Sequence, residues 1–412
     1  MPNSGGGKRR IYRPWRGGRT IFCTIVESPW NGLMDKGFRP TGWAGAYTDH
    51  FSGKRFFLAD DERMAMKIRE GVRTSSIVRA TILLASLMAL SGFAEGADYK
   101  LVKTWKLGGD GGWDYLTADS AGHRLFIARA TRVMVVDTTS GKQVGEIPET
   151  NGVHGIALDA EIGRGFTSNG REDTVSVFDL KSLVVEKKIK VGSGPDAILY
   201  DPFSKRVFTF NAKSHDTTAV DASRGEVVGT LALGGKPEFA TTDEKGTVFV
   251  NIEDTSELVA FDSQKLTVKS RWKMAGCEEP TGLAMDRKNR RLFAGCSGNK
   301  KMAVVDADSG KMLASPPIGE GCDAAAFDAD LGLAFASAGD GTITVIKEDG
   351  KDKEKDKFSV AQTVTTQKSA RTMALDGETH ALFTVAANVT GAGHDRKIEP
   401  DSFVVLVVEP TR

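Results

Sequence analysis

An excess of charge of one sign is missing from this 412-residue chain: 55 lysines and arginines stand against 54 aspartates and glutamates, for a net charge of +1. That balance removes the global attraction that draws basic proteins to nucleic acid or anionic membranes, although a local patch remains open. Long apolar runs are missing as well. One run covers Ala80–Leu90, 11 residues, or 15 when carried on to Ala94, whereas a bilayer span needs roughly 20. There is no Gly-x-Ser-x-Gly nucleophile elbow, no Cys-x-x-Cys-His haem site, and no His-x-His or Glu-x-x-His pair of the kind that marks a metal centre. GGDGGW, from Gly108, lacks the Lys-Ser/Thr ending of a phosphate loop. No catalytic residue is therefore assigned.

The short apolar run is informative in its setting. Lys67, Arg69, Arg73 and Arg79 precede it, and small residues follow, with cleavage fitting after Ala94 or near Ala94-Glu95-Gly96. A basic flank, a short apolar core and small residues make a secretory signal. Signals act at the N-terminus, and residues 1–63, rich in Gly, Arg and Trp, show no sustained period. The expected organisation is a gene-start artefact or disordered leader over 1–63, a signal peptide over 64–97 that starts at Met64 or Met66, and an exported domain over 98–412. No Cys follows the signal to carry a lipid. The mature protein is expected to be periplasmic or secreted, not inserted in the membrane, and monomeric.

Beyond residue 98 the chain repeats itself, and a fixed period outweighs any local motif. LFIAR, GFTSN, VFTFN, VFVNI, LFAGC, AFASA and LFTVA place Phe126, Phe166, Phe208, Phe249, Phe293, Phe335 and Phe383 at steps of 40, 42, 41, 44, 42 and 48 residues. Each Phe follows a turn that opens on Asp119, Asp159, Asp201, Asp243, Asp286, Asp328 or Asp376. A short apolar strand precedes each Asp, and a third strand, such as VMVVD or LVAFD, follows each Phe strand. Four antiparallel strands in about 42 residues is the size of a propeller blade. One such sheet cannot bury both its faces alone, whereas seven around an axis can. The fold expected is all-β: a seven-bladed β-propeller of four-stranded blades, with the phenylalanines packed between sheets. The last unit lacks a fourth strand, and YKLVKTWKLG at the start of the mature chain supplies one, so residues 99–107 should close the ring.

On these residues the sequence resembles the bacterial YVTN-repeat (YncE-like) β-propellers over about residues 98–412. Phe166-Thr167-Ser168-Asn169 and Phe208-Thr209-Phe210-Asn211 are its nearest counterparts of the name-giving string, and the last four units lack that Asn. The resemblance implies an exported seven-bladed propeller and carries no catalytic set.

Five residues before each anchoring Asp stand Asp114, His154, Asp196, Glu238, Thr281, Asp323 and Arg371, all polar. In a propeller these positions ring one mouth of the central channel. Three readings follow. The residues solvate the channel; or Asp114, His154, Asp196 and Glu238 hold a divalent cation such as calcium; or the ring binds a polar ligand, with Arg371 as the anion contact. No cofactor is required by the first and third readings. The expected role is non-catalytic binding of an envelope or extracellular protein or a polar small molecule. The alternatives are a cation-dependent, lactonase-type hydrolase and, last, a single-stranded DNA binder, which would need aromatic platforms along a basic groove; nucleic acid is not expected.

Of four cysteines, Cys23 lies in the leader. Cys277 and Cys296 flank one hairpin of the fifth blade and are expected to pair in an oxidising compartment; Cys322 is the alternative partner or a lone thiol. The charge-alternating stretch from Lys347 reads as a solvated hairpin. The insertion from Ala387 leaves the same end of the propeller as the polar ring, which would let His394 and Asp395 cap the channel.

Overall fold

The computed structural model describes residues 98–349, 357–391 and 397–411. The leader, the signal, Cys23, His394 and Asp395 lie outside them. Among the described residues every regular element is a strand, and no helix is long and apolar enough to cross a membrane.

The strands form seven four-stranded antiparallel sheets and one small two-stranded ribbon. The inner strands of blades 1 to 7 are Leu116–Asp119, Val153–Asp159, Pro195–Asp201, Pro237–Thr242, Pro280–Asp286, Cys322–Asp328 and Met373–Leu375. Each lies against the next, and the seventh lies against the first, so the ring closes. The fold is the expected seven-bladed propeller.

The turn aspartates explain why the chain reverses where it does. Asp119, Asp201, Asp243, Asp286, Asp328 and Asp376 each accept hydrogen bonds from backbone N–H groups two to four residues further on. The aspartates that end the third strands, Asp137, Asp179, Asp221, Asp262 and Asp306, do the same. These side chains pre-form the turn and free the strands to pair. The seven repeat phenylalanines are all buried, at most 2% exposed. Each faces the following blade: Phe126 meets Val153 and Phe178 of blade 2, Phe249 meets Leu283 and Leu292 of blade 5, and Phe383 meets Leu125 and Met134 of blade 1. The core is thus seven wedges between blades, with the sheets themselves as walls.

Closure uses both ends of the domain. The outer strand of blade 7 is Asp98–Lys106, paired antiparallel to Val404–Thr411, one residue from the expected span. Tyr99 from this strand is fully buried against Phe335 of blade 6, donates its hydroxyl to His380 O at 3.1 Å, and pairs through its backbone with the Gln362 side chain. The segment after it is pinned by Arg129 of blade 1, also fully buried. Its guanidinium lies 3.7 Å over the Phe403 ring and donates to the carbonyls of Gly109 and Asp110 at 3.0 Å each.

Cys277 and Cys296 are bridged, and Cys322 is free and buried. The third and outer strands of blade 6 flank the charge-alternating stretch, whose middle lies outside the described residues. The blade-7 insertion carries the ribbon Val389–Thr390 with Lys397–Ile398.

Candidate functional site at the channel mouth

Five of the seven ring positions coincide with breaks in strand register, while Asp114 and Arg371 stand just before their inner strands begin. Pairing of the inner strands skips between Val153 and Ile156, Pro195 and Ile198, Pro237 and Ala240, Pro280 and Leu283, and Cys322 and Ala324. Each break leaves the ring residue out of the ladder, as a bulge does, and at His154, Asp196 and Asp323 the side chain reaches residues of other blades. In this way residues some 40 apart in sequence come together.

Three of them form one knot. His154 Nδ1 lies 2.6 Å from Asp114 Oδ2 and 3.4 Å from Asp196 Oδ1, and the candidate ligand atoms of Asp114, His154 and Asp196 all fall within 4.8 Å of one another. Arg371 extends the knot: its guanidinium pairs with Asp114 at 3.2 Å and with Asp323 at 3.1 Å. Five of the seven expected residues therefore share one continuous network.

Glu238 and Thr281 behave differently. The Glu238 carboxylate is held by Lys236 at 2.8 Å, which also pairs with Glu253, and the Tyr115 hydroxyl lies 3.5 Å away. It does not join the three-residue knot, so the four-residue cation set expected from sequence comes down to Asp114, His154 and Asp196. Thr281 is buried and turned into blade 6, where its hydroxyl donates to Cys322 O at 2.7 Å. Arg371, expected as the anion contact of a polar ligand, pairs with two carboxylates of the ring itself.

Burial and like charge set the protonation of the ring. Burial raises Glu238 to about 8, with Asp196 adding to the rise. Burial likewise raises Asp323 to about 7, although Arg371 pulls it back. Asp196 is raised chiefly by burial, against the pull of His154. Burial works against the His154 imidazolium, but the Asp114 hydrogen bond and the Asp196 and Asp114 charges outweigh it, and its proton is held more tightly than usual.

One residue past the ring, two aromatic side chains meet across the axis. Tyr115, from blade 1, meets Phe239, from blade 4, edge to face at 4.4 Å. Blade 1 neighbours only blades 7 and 2, so this contact crosses the channel. Burial, together with Asp196, Asp323, Glu238 and Asp114, makes the Tyr115 hydroxyl far harder to ionise. The sequence reading missed Tyr115, Phe239 and Lys236. A signal for the aromatic pair was present: one residue past the ring the blades read Tyr115, Gly155, Ala197, Phe239, Gly282, Ala324 and Thr372, two large rings among small residues. At Gly282 a Cβ would come within 2.5 Å of the Ala325 backbone N, so blades 5 and 6 approach there as only glycine allows.

Two cavities open beside Arg371. The larger, about 470 Å³, lies between blades 6 and 7. The smaller, about 190 Å³, is bounded by Trp113, Arg371 and Ile398.

No family model matches the sequence, and no curated protein does. Among solved structures the chain is similar to hydrazine synthase from Kuenenia stuttgartiensis, at 17% identity over 59% of this chain and 97% of that one, with a TM-score of 0.42.

Proposed function

We propose that this is an exported, non-catalytic binding propeller of the YVTN-repeat type, and that its channel mouth takes the positively charged group of a polar small molecule or of an envelope protein. The observation that carries the reading is the charge of the converged ring. Asp114, Asp196, Glu238 and Asp323 supply four carboxylates, while His154 and Arg371 supply two cations, and Lys236 is matched by Glu253. A mouth whose acidic groups outnumber its basic ones favours a cation, which would draw the raised Glu238 and Asp323 into their ionised forms, and disfavours the phosphate backbone of single-stranded DNA. An incoming ammonium would offset the cost that burial places on the ionised carboxylates of Asp196 and Glu238.

Isothermal titration of the full chain with putrescine tests this. Saturable binding is expected, weakened at least about tenfold in Asp196→Asn, a change of roughly 1.4 kcal/mol. Undetectable binding, or equal binding by the variant, would overturn the reading.

A second reading, a divalent cation on Asp114, His154 and Asp196 with lactonase-type hydrolysis, is favoured by the proximity of those three ligand groups. Against it, the proton on His154 Nδ1 and the Arg371 charge on Asp114 occupy the place and the role of the metal. Stoichiometric calcium in elemental analysis of the purified protein would reverse the ranking.

A further inference from the structure

The cavity of about 470 Å³ between blades 6 and 7 has the opposite character to the ring beside it. Its volume falls in the range of small-molecule sites, roughly 300–1,000 Å³. Its polar lining comes from Gln367, Lys368, Ser369, Arg371 and Asn388, and none of the described residues that line it is acidic.

The state of each group narrows the ligand. Ser369 is committed, donating its hydroxyl to Ala387 O at 2.8 Å. The Asn388 amide donates to Glu399 at 2.7 Å, and its carbonyl faces the Gln367 amide at 3.4 Å. Lys368 has no hydrogen bond or ion pair among the described residues, so its ammonium offers three donors. Arg371 gives one N–H to Asp114 and meets Asp323 as an ion pair without a hydrogen bond, which leaves four of the five guanidinium donors for other partners. Ala387 and Val389 supply an apolar wall, and Gly339 leaves the floor open.

We infer that this cavity is a second binding site, for a small carboxylic acid, with Lys368 and the unused edge of Arg371 on the carboxylate and the Ala387–Val389 wall on its apolar body. A planar carboxylate suits a guanidinium edge. The ammonium adds the charge that Arg371, already neutralised by two aspartates, cannot supply alone. The ligand charge is opposite to that proposed for the ring, so the two sites are separable by experiment.

Gly339 provides a clean block. A Cβ built there makes only ordinary contacts, the nearest at 3.6 Å, and the residue does not have a positive φ, so Gly339→Val narrows the cavity on a backbone that accepts a side chain.

The test is titration of the full chain with benzoate and with benzamide, its neutral counterpart, followed by calorimetry and thermal shift. Benzoate should bind saturably and benzamide at least about tenfold more weakly. Lys368→Ala should lose about tenfold in benzoate affinity, and Gly339→Val should abolish binding, while both keep the melting temperature and putrescine binding of the parent. Equal binding of benzoate and benzamide, inorganic phosphate binding as tightly as benzoate, or an unchanged affinity in Lys368→Ala would each overturn the inference. Benzoate binding that is lost in Asp196→Asn but kept in Gly339→Val would assign the acid to the ring instead and overturn it too. Loss of putrescine binding with benzoate binding intact would count against the ring reading alone.

Discussion

Single side chains decide how the ring of blades is held and how its mouth responds to protons. Arg129 is the clearest case. It is buried, with its guanidinium over Phe403 and its donors on the Gly109 and Asp110 carbonyls. Burial outweighs these contacts enough to lower it to about 10, so it is held at a cost and serves by filling a place nothing else fits. Arg129→Ala leaves those carbonyls and an aromatic face without a partner, and should destabilise the fold by about 2–4 kcal/mol in urea unfolding. A loss under about 0.5 kcal/mol would show that the segment is pinned by other means. At the mouth the sign of the pH dependence follows from the raised carboxylates. Glu238 stands at about 8 and Asp323 at about 7, against 4.5 and 3.8 in an unfolded chain. Through that window the folded protein keeps protons the unfolded chain has released, so stability falls as pH rises, by up to about 1.4 kcal/mol per unit and per group. His154, whose proton is also held, acts in the same direction. The melting temperature should therefore drop between about pH 5 and about pH 9, and Glu238→Gln should flatten the drop. A melting temperature that rises over this range would refute the protonation argument.

At the scale of the strand, the bulge and the closing strand do the work. The offset of five residues before each anchoring Asp was readable because every inner strand enters its turn in the same register. That regularity placed Asp114, His154, Asp196, Asp323 and Arg371 in one network. It failed at Thr281, where the close approach of blades 5 and 6 over Gly282 puts the Cys322 carbonyl within reach and turns the hydroxyl away from the axis. It was silent on Tyr115 and Phe239, because a contact across the axis joins blades that share no edge and leaves no local pattern. It was silent too on Lys236, whose pairing with Glu238 and Glu253 depends on two loops of one blade. The closing strand was legible by arithmetic, since the last blade is one strand short. Tyr99 gives that strand its grip. Tyr99→Ala should cost about 3–5 kcal/mol, and a chain lacking residues 98–108 should melt roughly 10 °C or more below the parent. Unchanged melting in both would mean that the ring holds without its outer strand.

For the molecule as a whole, the period was the strongest thing in the sequence, because packing between blades repeats the same demand seven times: a large ring at Phe126 and its six counterparts, with an aspartate ahead of each. The chemistry of the mouth is written once rather than seven times. It rests on which residue each blade places at its ring position, and for that reason the scaffold could be read with little ambiguity while the ligand classes had to be argued from distances. The Tyr115–Phe239 pair also gives the assembly a direction. With those two rings meeting across its centre the propeller has two unlike faces, and a guest of the kind proposed would find carboxylates on one side of the pair and not on the other.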